Sequence, residues 1–587
     1  MRYASIRRVA LAALLAAGAP SAVMAQQGCS FSTNTTAVQC TSEDECLALG
    51  PSFAGTTCDP LSRTCVRVPE DQGLCSTNKE CIDKAGGVPA ICRRRDRRCV
   101  TLASPECPTI MAEPGQVSND DAIVIGAITP GGGDTELGDN MEAALHLAQI
   151  ELSKVGGHGL PSISDRPEGR PLVIVACREF GPEGYESILR AADHLARDIE
   201  VPVNIGPVDS GSAAIVAAQV FNPRRILSIL PSGKSSILAT LANPVAPTPI
   251  IWSPSYGDRE ITNAAVKLVS KVLEPRIHAQ GEPGPIRVAV LSEDNFLGQM
   301  STSMLQDQLS FNGKSAVDNG AATPPNYLRL SIGDLLDPVG NPAPETKIAA
   351  AIRRVYEFKP HIIFHSYAPK AVAATFFPLV RNYPPATAGT PVPYHIDVVA
   401  TFGAFQPLEE VIDNFSKPSI PAQARLRSRL FSAETRVVDR TRNDAWVIKF
   451  QNQFPRFATS SSPKTLLVQS WYDSAYMAAF AIVANGKKPL TGENLAATLP
   501  QLIPPGQQIS PGPDDTQRAF GLLGSGQGID LDGLSGNLNL DQRTGRTRYN
   551  ISITCPNTGT NGKTQGFKDS GFYTENQEGV GNINHCD

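Results

Sequence analysis

Three stretches of the sequence carry residue types that could do chemistry, and each fails a test of spacing. Pro231-Ser-Gly-Lys-Ser235 ends like a phosphate-binding P-loop, but that motif needs a glycine where this chain has Ser228. Gly131 to Gly133 follows an apolar run, yet the third glycine of a dinucleotide-binding loop is missing. His361 and His365 would lie roughly 13 Å apart on a strand. The chain also lacks the GxSxG motif of serine hydrolases and the HExxH motif of zinc proteases. The sequence therefore predicts no catalytic centre, no metal site and no cofactor.

The remaining candidate is the stretch Gly206 to Phe221, GPVDSGSAAIVAAQVF, which follows the apolar run Val201 to Ile205. Its pattern predicts a strand, a tight loop and a helix. The first turn of a helix has unpaired N–H groups and the positive end of the helix dipole, so Ser210 and Ser212 would form a seat for a carboxylate or phosphate. A second interpretation stays open, in which Ser210 or Ser212 is only the N-cap of a buried helix.

The elements around this loop predict an α/β protein. Continuous aliphatic runs alternate with amphipathic helices, a pattern typical of parallel sheets that are covered by helices on both faces. Two such sets follow each other, the first beginning at Ile123 and the second at Ile286. Ligands of open α/β sheets bind outside the carboxyl ends of the strands. We therefore expect the binding residues in the loops after strands, facing a cleft between two lobes.

Composition and charge narrow the class of protein. The chain has 587 residues and a net charge of −5. A negative net charge does not favour binding to nucleic acid. Residues 1–25 contain three arginines, an apolar run and small residues before Gln26, as in a cleaved secretory signal. A lipoprotein anchored at Cys29 is a less favoured alternative, because Gln26 and Gln27 do not fit a lipobox. No later run is long enough to span a membrane, so we expect a periplasmic, secreted or cell-surface protein.

Ten of the thirteen cysteines fall from Cys29 to Cys107, and the eight between these two form two repeats. In residues 40–66 the four cysteines are separated by 5, 11 and 6 residues, and in 75–100 by 5, 10 and 6. Modules this small need cross-links, so two disulfides are predicted in each. Zinc is the rival interpretation, but there is no CxxC pair. Cys29 and Cys107 are candidates to pair with each other.

The other cysteines and the domain boundaries complete the predicted organisation. Cys555 and Cys586 are predicted to form a disulfide, and Cys177, on a strand, to be a buried free thiol. The predicted segments are a Cys-rich region 29–107, a linker 108–121, a main domain 122–555 and a tail 556–587. Within the main domain, the first lobe would comprise about 122–252 and 406–535, and the second about 253–405 and 536–555.

The ordered set of segments resembles a known family, the type I periplasmic binding proteins, and within it the branched-chain amino-acid (Leu/Ile/Val) receptors of ABC importers. The phrases that carry the resemblance are Ile125-Gly-Ala-Ile-Thr-Pro130, Gly206-Pro-Val-Asp-Ser-Gly-Ser212, Leu230-Pro-Ser232, Pro360-His-Ile-Ile-Phe364, Tyr472-Asp473-Ser-Ala475 and Gly533-Leu-Ser-Gly536. The resemblance covers about 121–552, without the Cys repeats or the last 30 or so residues. It implies a two-lobed clamp that closes on a small solute and does no chemistry on it.

By position in that family, the resemblance implies a set of ligand-binding residues. Leu137 would form an apolar wall, Ser210, Ser212, Ser232 and Lys234 would hold a ligand carboxylate from the first lobe, and Tyr367 would close over it from the second. The family's acidic residue for the ligand ammonium should lie near Phe402, which we include in the predicted site, but no acid is there. Glu293 or Asp294 could substitute. Because a buried ammonium without a carboxylate is costly, we expect a ligand more anionic or more apolar than a plain α-amino acid.

Two functions remain open at this point. The resemblance implies extracytoplasmic binding of an amino acid or related carboxylate, with delivery to an ABC permease. The alternative is a ligand sensor or surface-adhesion protein that uses the same clamp without transport, with the Cys-rich repeats contacting a protein partner.

Overall fold

The structure, a computed structural model, divides the chain into two compact units, Met1–Gly73 and Leu74–Asp587. In the first unit it describes residues 40, 46, 49, 56–59 and 64–67. In the second it describes residues 74–131, 136–155, 159–163, 169–179, 184–233, 235–241, 248–292, 294, 296–332, 345–366, 394–397, 413, 427–435, 440–460, 462–547 and 549–586. Among all these residues, no helix has both the length and the apolar character that crossing a membrane requires.

Both cysteine repeats contain an antiparallel hairpin. In the first repeat β1 (Thr56–Asp59) pairs with β2 (Thr64–Arg67), and in the second β3 (Ala90–Arg93) pairs with β4 (Arg98–Thr101) after helix α1 (Asn78–Lys84). The second repeat is held as predicted by two disulfides, Cys75–Cys92 and Cys81–Cys99. In the first repeat, Cys46–Cys65 is the equivalent of the second of these bonds. Among the described residues, the repeated spacing thus corresponds to one disulfide that the two repeats share.

A six-stranded sheet forms the first lobe, in the order β10-β9-β8-β6-β7-β5. All neighbours are parallel except β5 and β7, which are antiparallel. The strands are β5 (Thr109–Met111), β6 (Ile123–Thr129), β7 (Leu172–Arg178), β8 (Val203–Ile205), β9 (Leu227–Ile229) and β10 (Ile251–Trp252). Alternate side chains of β6 enter different cores, Ile125 and Ala127 on one face and Ile128 on the other. Burial on both faces explains why these strands read as continuous aliphatic runs.

Helices cover the two faces of this sheet. On one face lie α2 (Glu136–Lys154) and α12 (Leu466–Asn485), and α12 is apolar nearly all round because almost every side chain is buried. On the other lie α3 (Tyr185–Asp193, continued by His194–Ile199) and α4 (Ser210–Val216, continued by Ala217–Phe221). The remaining helices of this lobe are α5 (Ile237–Leu241), α11 (Arg440–Gln453), α13 (Gly492–Ala496) and α14 (Pro513–Gly524).

The second Cys-rich module is packed on the first lobe, and the stretch predicted as a linker, 108–121, contributes β5 to its sheet. Arg93 Nη1 donates to the carbonyls of Arg197 and Asp198 at 2.9 and 3.0 Å, at a helix C-terminus where the dipole favours a cation. Leu102 is fully buried in the core that lies under α3. The basic loop 93–98 therefore helps to dock the module.

A disulfide between Cys107 and Cys177 joins the end of the Cys-rich region to β7. The prediction of a free thiol at Cys177 is wrong, and Cys107 does not pair with Cys29. The sequence did not suggest that Cys107 pairs with Cys177, because the two cysteines are 70 positions apart. They become neighbours only when β5 adds to the sheet edge beside β7.

An eight-stranded sheet forms the second lobe, in the order β12-β11-β13-β14-β15-β16-β17-β18. Its strands are β11 (Val288–Ser292), β12 (Tyr327–Ser331), β13 (Ile362–Ser366), β14 (Tyr394–Asp397), β15 (Leu430–Thr435), β16 (Ile551–Thr558), β17 (Thr564–Glu575) and β18 (Glu578–Gly581). Pairing is parallel as far as β15 and antiparallel from there on. The helices are α6 (Asp258–Leu268, continued by Val269–Leu273), α7 (Glu274–Ala279), α8 (Phe296–Gln308), α9 (Ala316–Gly320) and α10 (Glu345–Phe358).

Two of the predicted domain boundaries do not agree with the residues that form this sheet. β15 pairs with β14, so the chain returns to the first lobe only after Thr435, later than the predicted position of about 406. The segment 556–587, predicted as a tail, supplies the end of β16 and all of β17 and β18, with Phe572 fully buried. The predicted disulfide Cys555–Cys586 is confirmed and holds the end of the chain to β16.

Two of the crossings between the lobes run side by side, since Ser253 bridges to Arg546 and the Tyr549 hydroxyl donates to the Pro254 carbonyl at 3.2 Å.

Short elements complete the chain. The short strands are Ser310–Phe311 with Lys314–Ser315, Gln507–Ile509 with Ile529–Gly533 and Gly536–Asn537, and Leu540–Asp541 with Arg546–Thr547. The 3-10 turns are Asn222–Arg224, Arg427–Arg429, Pro455–Phe457, Ser462–Lys464 and Leu499–Leu502.

Candidate functional site

The segments that follow β6, β7, β8 and β9 are joined to one another by hydrogen bonds at the carboxyl edge of the first sheet. The N–H of Glu179, after β7, donates to the carbonyl of Thr129, the last residue of β6, at 2.8 Å. The hydroxyl of Ser232, after β9, donates to the carbonyl of Val208, after β8, at 2.9 Å. This is the edge at which open α/β sheets bind their ligands.

The loop after β8 begins with a turn that only glycine can make. Gly206 has φ +91°, and a Cβ there would lie 2.2 Å from the carbonyl oxygen of Ile128 and 2.7 Å from the ring of Trp471. Its N–H donates to the carbonyl of Ile229 at 2.8 Å. The loop is therefore pressed against the neighbouring strands, and a side chain would displace it.

Asp209, and not Ser210 or Ser212, is the N-cap of α4. Its carboxylate Oδ2 accepts from the N–H of Ser212 at 2.7 Å, and its backbone is extended as an N-cap requires. The interpretation of either serine as the cap is thus wrong. Ser210 is the first helical residue, and its hydroxyl is not needed to cap the N-terminus of the helix.

Ser210 and Ser232 are both buried and are brought to the same edge. The Ser210 hydroxyl oxygen accepts from the N–H of Ser235 at 3.3 Å, which links the loop after β8 to the loop after β9. Because Ser210 accepts in this bond, its own hydroxyl proton can be donated elsewhere, whereas Ser232 donates to Val208.

Glu179 is a buried carboxyl group in the middle of this arrangement, with 2% of its surface exposed. Its two carboxyl oxygens accept from the N–H groups of Val208 and Asp209, each at 2.8 Å. Burial and the nearby Asp209 carboxylate raise the pKa of Glu179 to about 8, although the two N–H donors and the Ser212 hydroxyl act in the opposite direction. Glu179 was not among the residues predicted from the sequence, although an acidic residue immediately after a buried strand was a visible signal.

The other predicted site residues are placed as follows. Leu137 lies near the start of α2, half-buried, and packs against the first-lobe core. Lys234, Tyr367 and Phe402 lie outside the described residues, as does Glu293. Asp294, the other candidate for the missing acid, accepts from the Ser331 hydroxyl at 2.5 Å and pairs with Lys347 at 3.5 Å. It therefore already has partners within the second lobe.

The loop after β9 also contacts the second lobe. The N–H of Ser236 donates to Asp258 Oδ2 at 3.2 Å, and the Ser235 hydroxyl lies 3.7 Å from Met300 Sδ on α8. Arg546, at a later crossing, donates to the carbonyls of Gly233 and Ser235. Burial raises the pKa of Asp258 to about 6, and the Arg546 guanidinium partly opposes this shift. Both lobes thus hold the loop that carries Ser232.

A small hollow lies where the chain crosses between the lobes. It is lined by residues of the crossings and of the start of α12, among them Pro254, Tyr256, Leu466 and Tyr549, and leaves about 10 Å³ of free space. This is roughly the room that one water molecule needs. The hollow is too small to be the binding site for a solute.

Solved structures with a similar fold are ABC-transporter binding proteins. A solute-binding protein from R. palustris, in complex with 4-hydroxybenzoate, aligns with TM-score 0.51 and 14% identity over 78% of this chain and 98% of its own. LivJ from Streptococcus pneumoniae, in complex with isoleucine, gives 0.49 and 14% over 76% and 99%. The leucine-binding protein LivK from Thermotoga maritima gives 0.47 and 12% over 76% and 99%.

No protein-family model matches the chain, and no curated protein matches it in sequence. The alignment with the R. palustris protein covers nearly all of that protein and about three quarters of this one. The fold class predicted from the sequence is confirmed: the chain has the two-lobed α/β fold of periplasmic solute-binding proteins, to which disulfide-rich modules are added at the N-terminus.

Proposed function

We propose that this chain binds a small solute, an amino acid or related carboxylate, between its two lobes outside the cytoplasm and delivers it to an ABC permease. The observation that carries the proposal is the meeting of the strand-end loops, where Ser210 and Ser232 are buried together and the Ser232 loop is held by both lobes. Among the described residues of these loops no nucleophile is paired with a base, so binding without chemistry is the function that the arrangement supports.

The ligand would be bound by its anionic end at Ser210. The hydroxyl proton of Ser210 and the N–H groups of Ser210 and Gly211 at the first turn of α4 are suited to a carboxylate. Lys234 and Tyr367 are proposed to complete the site, with Leu137 and Phe402 as apolar walls and Ser212 in the same turn of the helix. The acids near Ser210, Glu179 and Asp209, are engaged with backbone N–H groups. Of the two ligand classes we therefore favour the carboxylate that lacks an ammonium group over the amino acid.

A thermal-shift screen that compares leucine with 4-hydroxybenzoate tests the ligand class. A ligand present at about 100 times its dissociation constant adds about 2.7 kcal/mol to the stability of the folded state. We expect stabilisation by the aromatic carboxylate and none by leucine. Stabilisation by leucine alone would contradict the argument from the missing acid.

The Ser210→Ala variant tests the site. We expect it to weaken ligand binding at least tenfold in calorimetry. Stability should fall by only about 1 to 3 kcal/mol, the cost of leaving the Ser235 N–H unpaired, since Asp209 and not Ser210 caps the helix. Ser525→Ala is the matched control, because its exposed hydroxyl bonds to the Leu522 carbonyl at the end of α14. Equal affinities of the two variants would remove Ser210 from the site.

Sensing or adhesion is the second candidate function. The observation in its favour is the first Cys-rich repeat, which belongs to a compact unit separate from the main body and would serve a protein partner. Uptake of the labelled ligand by cells that lack the chain decides between the two. Transport predicts lost uptake that the chain restores, whereas a sensor predicts normal uptake and a lost response to the ligand.

A further inference from the structure

We infer that Glu179 is a positioning residue that sets the shape of the ligand loop, residues 206–212. The inference rests on the proposed function, because it concerns the same loop. It begins from the two hydrogen bonds that the loop donates to this one side chain, from Val208 to Oε2 and from Asp209 to Oε1, both 2.8 Å long. Glu179 does not contact the solute in this scheme.

The peptide groups around Val208 are held from two directions. The Val208 N–H is bound by Glu179, and its carbonyl accepts from the Ser232 hydroxyl at 2.9 Å. Glu179 is itself held by the bond from its N–H to the Thr129 carbonyl. The loop is thus fastened to the ends of β6, β7 and β9, with the Glu179 carboxyl group as the central acceptor.

The second bond passes the constraint on to α4. The Asp209 N–H is bound by Glu179, and the Asp209 carboxylate in turn caps the helix through the N–H of Ser212. Ser210 lies between these two fixed points, and its hydroxyl oxygen meets the N–H of Ser235. The direction of the Ser210 hydroxyl therefore depends on Glu179.

Stability alone is a poor reason for this residue. A carboxyl group that is 2% exposed gives up its hydration in either protonation state, and its ionised form is costly even when it is hydrogen-bonded. The neighbouring Asp209 carboxylate has the same sign and makes ionisation less favourable still. A side chain placed here at such a cost is better explained by the loop geometry that it imposes.

The groups around Glu179 shift its pKa, so its role in the loop can also be tested by changing the pH. Asp209 faces it from the loop and Ser212 from α4, and Glu142 of α2 accepts from the Thr129 hydroxyl at 3.2 Å on the far side of Thr129. Tyr185, at the start of α3, lies with its hydroxyl near Gly211. With a pKa of about 8, the carboxyl group changes its charge, and so its strength as an acceptor for the loop, between about pH 7 and 9.

The test compares Glu179→Gln with Glu151→Gln. In E179Q the side-chain amide would present one acceptor and one N–H₂ donor to two N–H groups, so one bond is lost and the loop shifts. Glu151 is a buried carboxylate of the same lobe that accepts from the hydroxyls of Tyr472 and Tyr476, and it does not touch the loop. At about pH 9, where the Glu179 carboxyl group is mostly ionised, hydrogen exchange of the ligand-free protein should speed up at least tenfold for Val208 and Asp209 in E179Q only.

Binding gives the second measurement, with 4-hydroxybenzoate as the probe. We expect E179Q to bind it about tenfold more weakly, E179D to recover part of the affinity, and the pH dependence of the affinity between pH 7 and 9 to be lost in E179Q. If E179Q leaves the exchange of the loop unchanged, the inference is overturned whether or not the probe binds. If exchange rises but the wild type binds no carboxylate, the proposed function fails and the role in loop positioning stands.

Discussion

Removing the disulfide between Cys107 and Cys177 tests whether the Cys-rich region is an integral part of the first lobe. The bond joins residues 70 positions apart, and the loop-entropy estimate for a loop of that length is about 4 kcal/mol. Both cysteines are buried, with 0% and 1% exposure, so replacement by alanine also loses packing. In a body of roughly 500 residues, 4 kcal/mol corresponds to a fall of about 4 °C in the melting temperature.

The assay is differential scanning calorimetry of the double variant Cys107→Ala/Cys177→Ala beside Cys75→Ala/Cys92→Ala, which removes a bond confined to the small module. We expect the main transition to move by about 4 °C in the first variant and by less in the second, whose loop of 17 positions gives about 3 kcal/mol by the same estimate. Mass spectrometry of unreduced peptides should recover Cys107 linked to Cys177. A main transition that moves by less than about 1 °C, or a Cys177 that alkylates without reduction, would refute the reasoning.

Three further outcomes follow from the structure. Gly206→Ala should cost at least about 3 kcal/mol, because its Cβ would lie 2.2 Å from the Ile128 carbonyl, whereas Gly281→Ala, with a similar φ of +99° and open space, should cost about 1 kcal/mol by chemical denaturation. Burial lowers the pKa of His365 to about 4; the unfolded chain therefore takes up the proton first, and stability should fall by about 3 kcal/mol between pH 6.5 and 4 in the wild type but not in H365Q. Deleting residues 559–587 should expose β16 as an edge and lower the soluble yield, with increased binding of a hydrophobic dye.

Much of the fold could be predicted because the signals are local. β6 begins at Ile123, where the first set of elements was predicted to begin. Every residue of this strand is apolar or small, and the strand is buried on both faces. The signals of α12 are equally local, because Thr465 caps the helix and a long apolar run follows it. The repeated cysteine spacing was sufficient to identify two similar modules, and the second has the two predicted disulfides.

The candidate site could be predicted only in part. The position of the loop 206–212 between a strand and a helix was evident, and the choice of Ser210 came from a family resemblance. The residue that caps the helix was not identified correctly, because Asp, Ser and Gly in succession all suit the turn, and only the backbone angles distinguish Asp209 from its neighbours.

By itself, the sequence determined the fold class, the two sets of strands and helices, the Cys-rich modules and the position of a loop at 206–212 between a strand and a helix, because each of these follows from neighbouring residues and their periodicity. Tertiary structure decided the Cys107–Cys177 bond, the return of the chain after Thr435 and the addition of the C-terminal strands to the second sheet. It also placed Glu179 beneath the loop. These are contacts between residues far apart in the chain. Strand pairing and burial bring such residues together, and no local sequence pattern predicts which of them will meet.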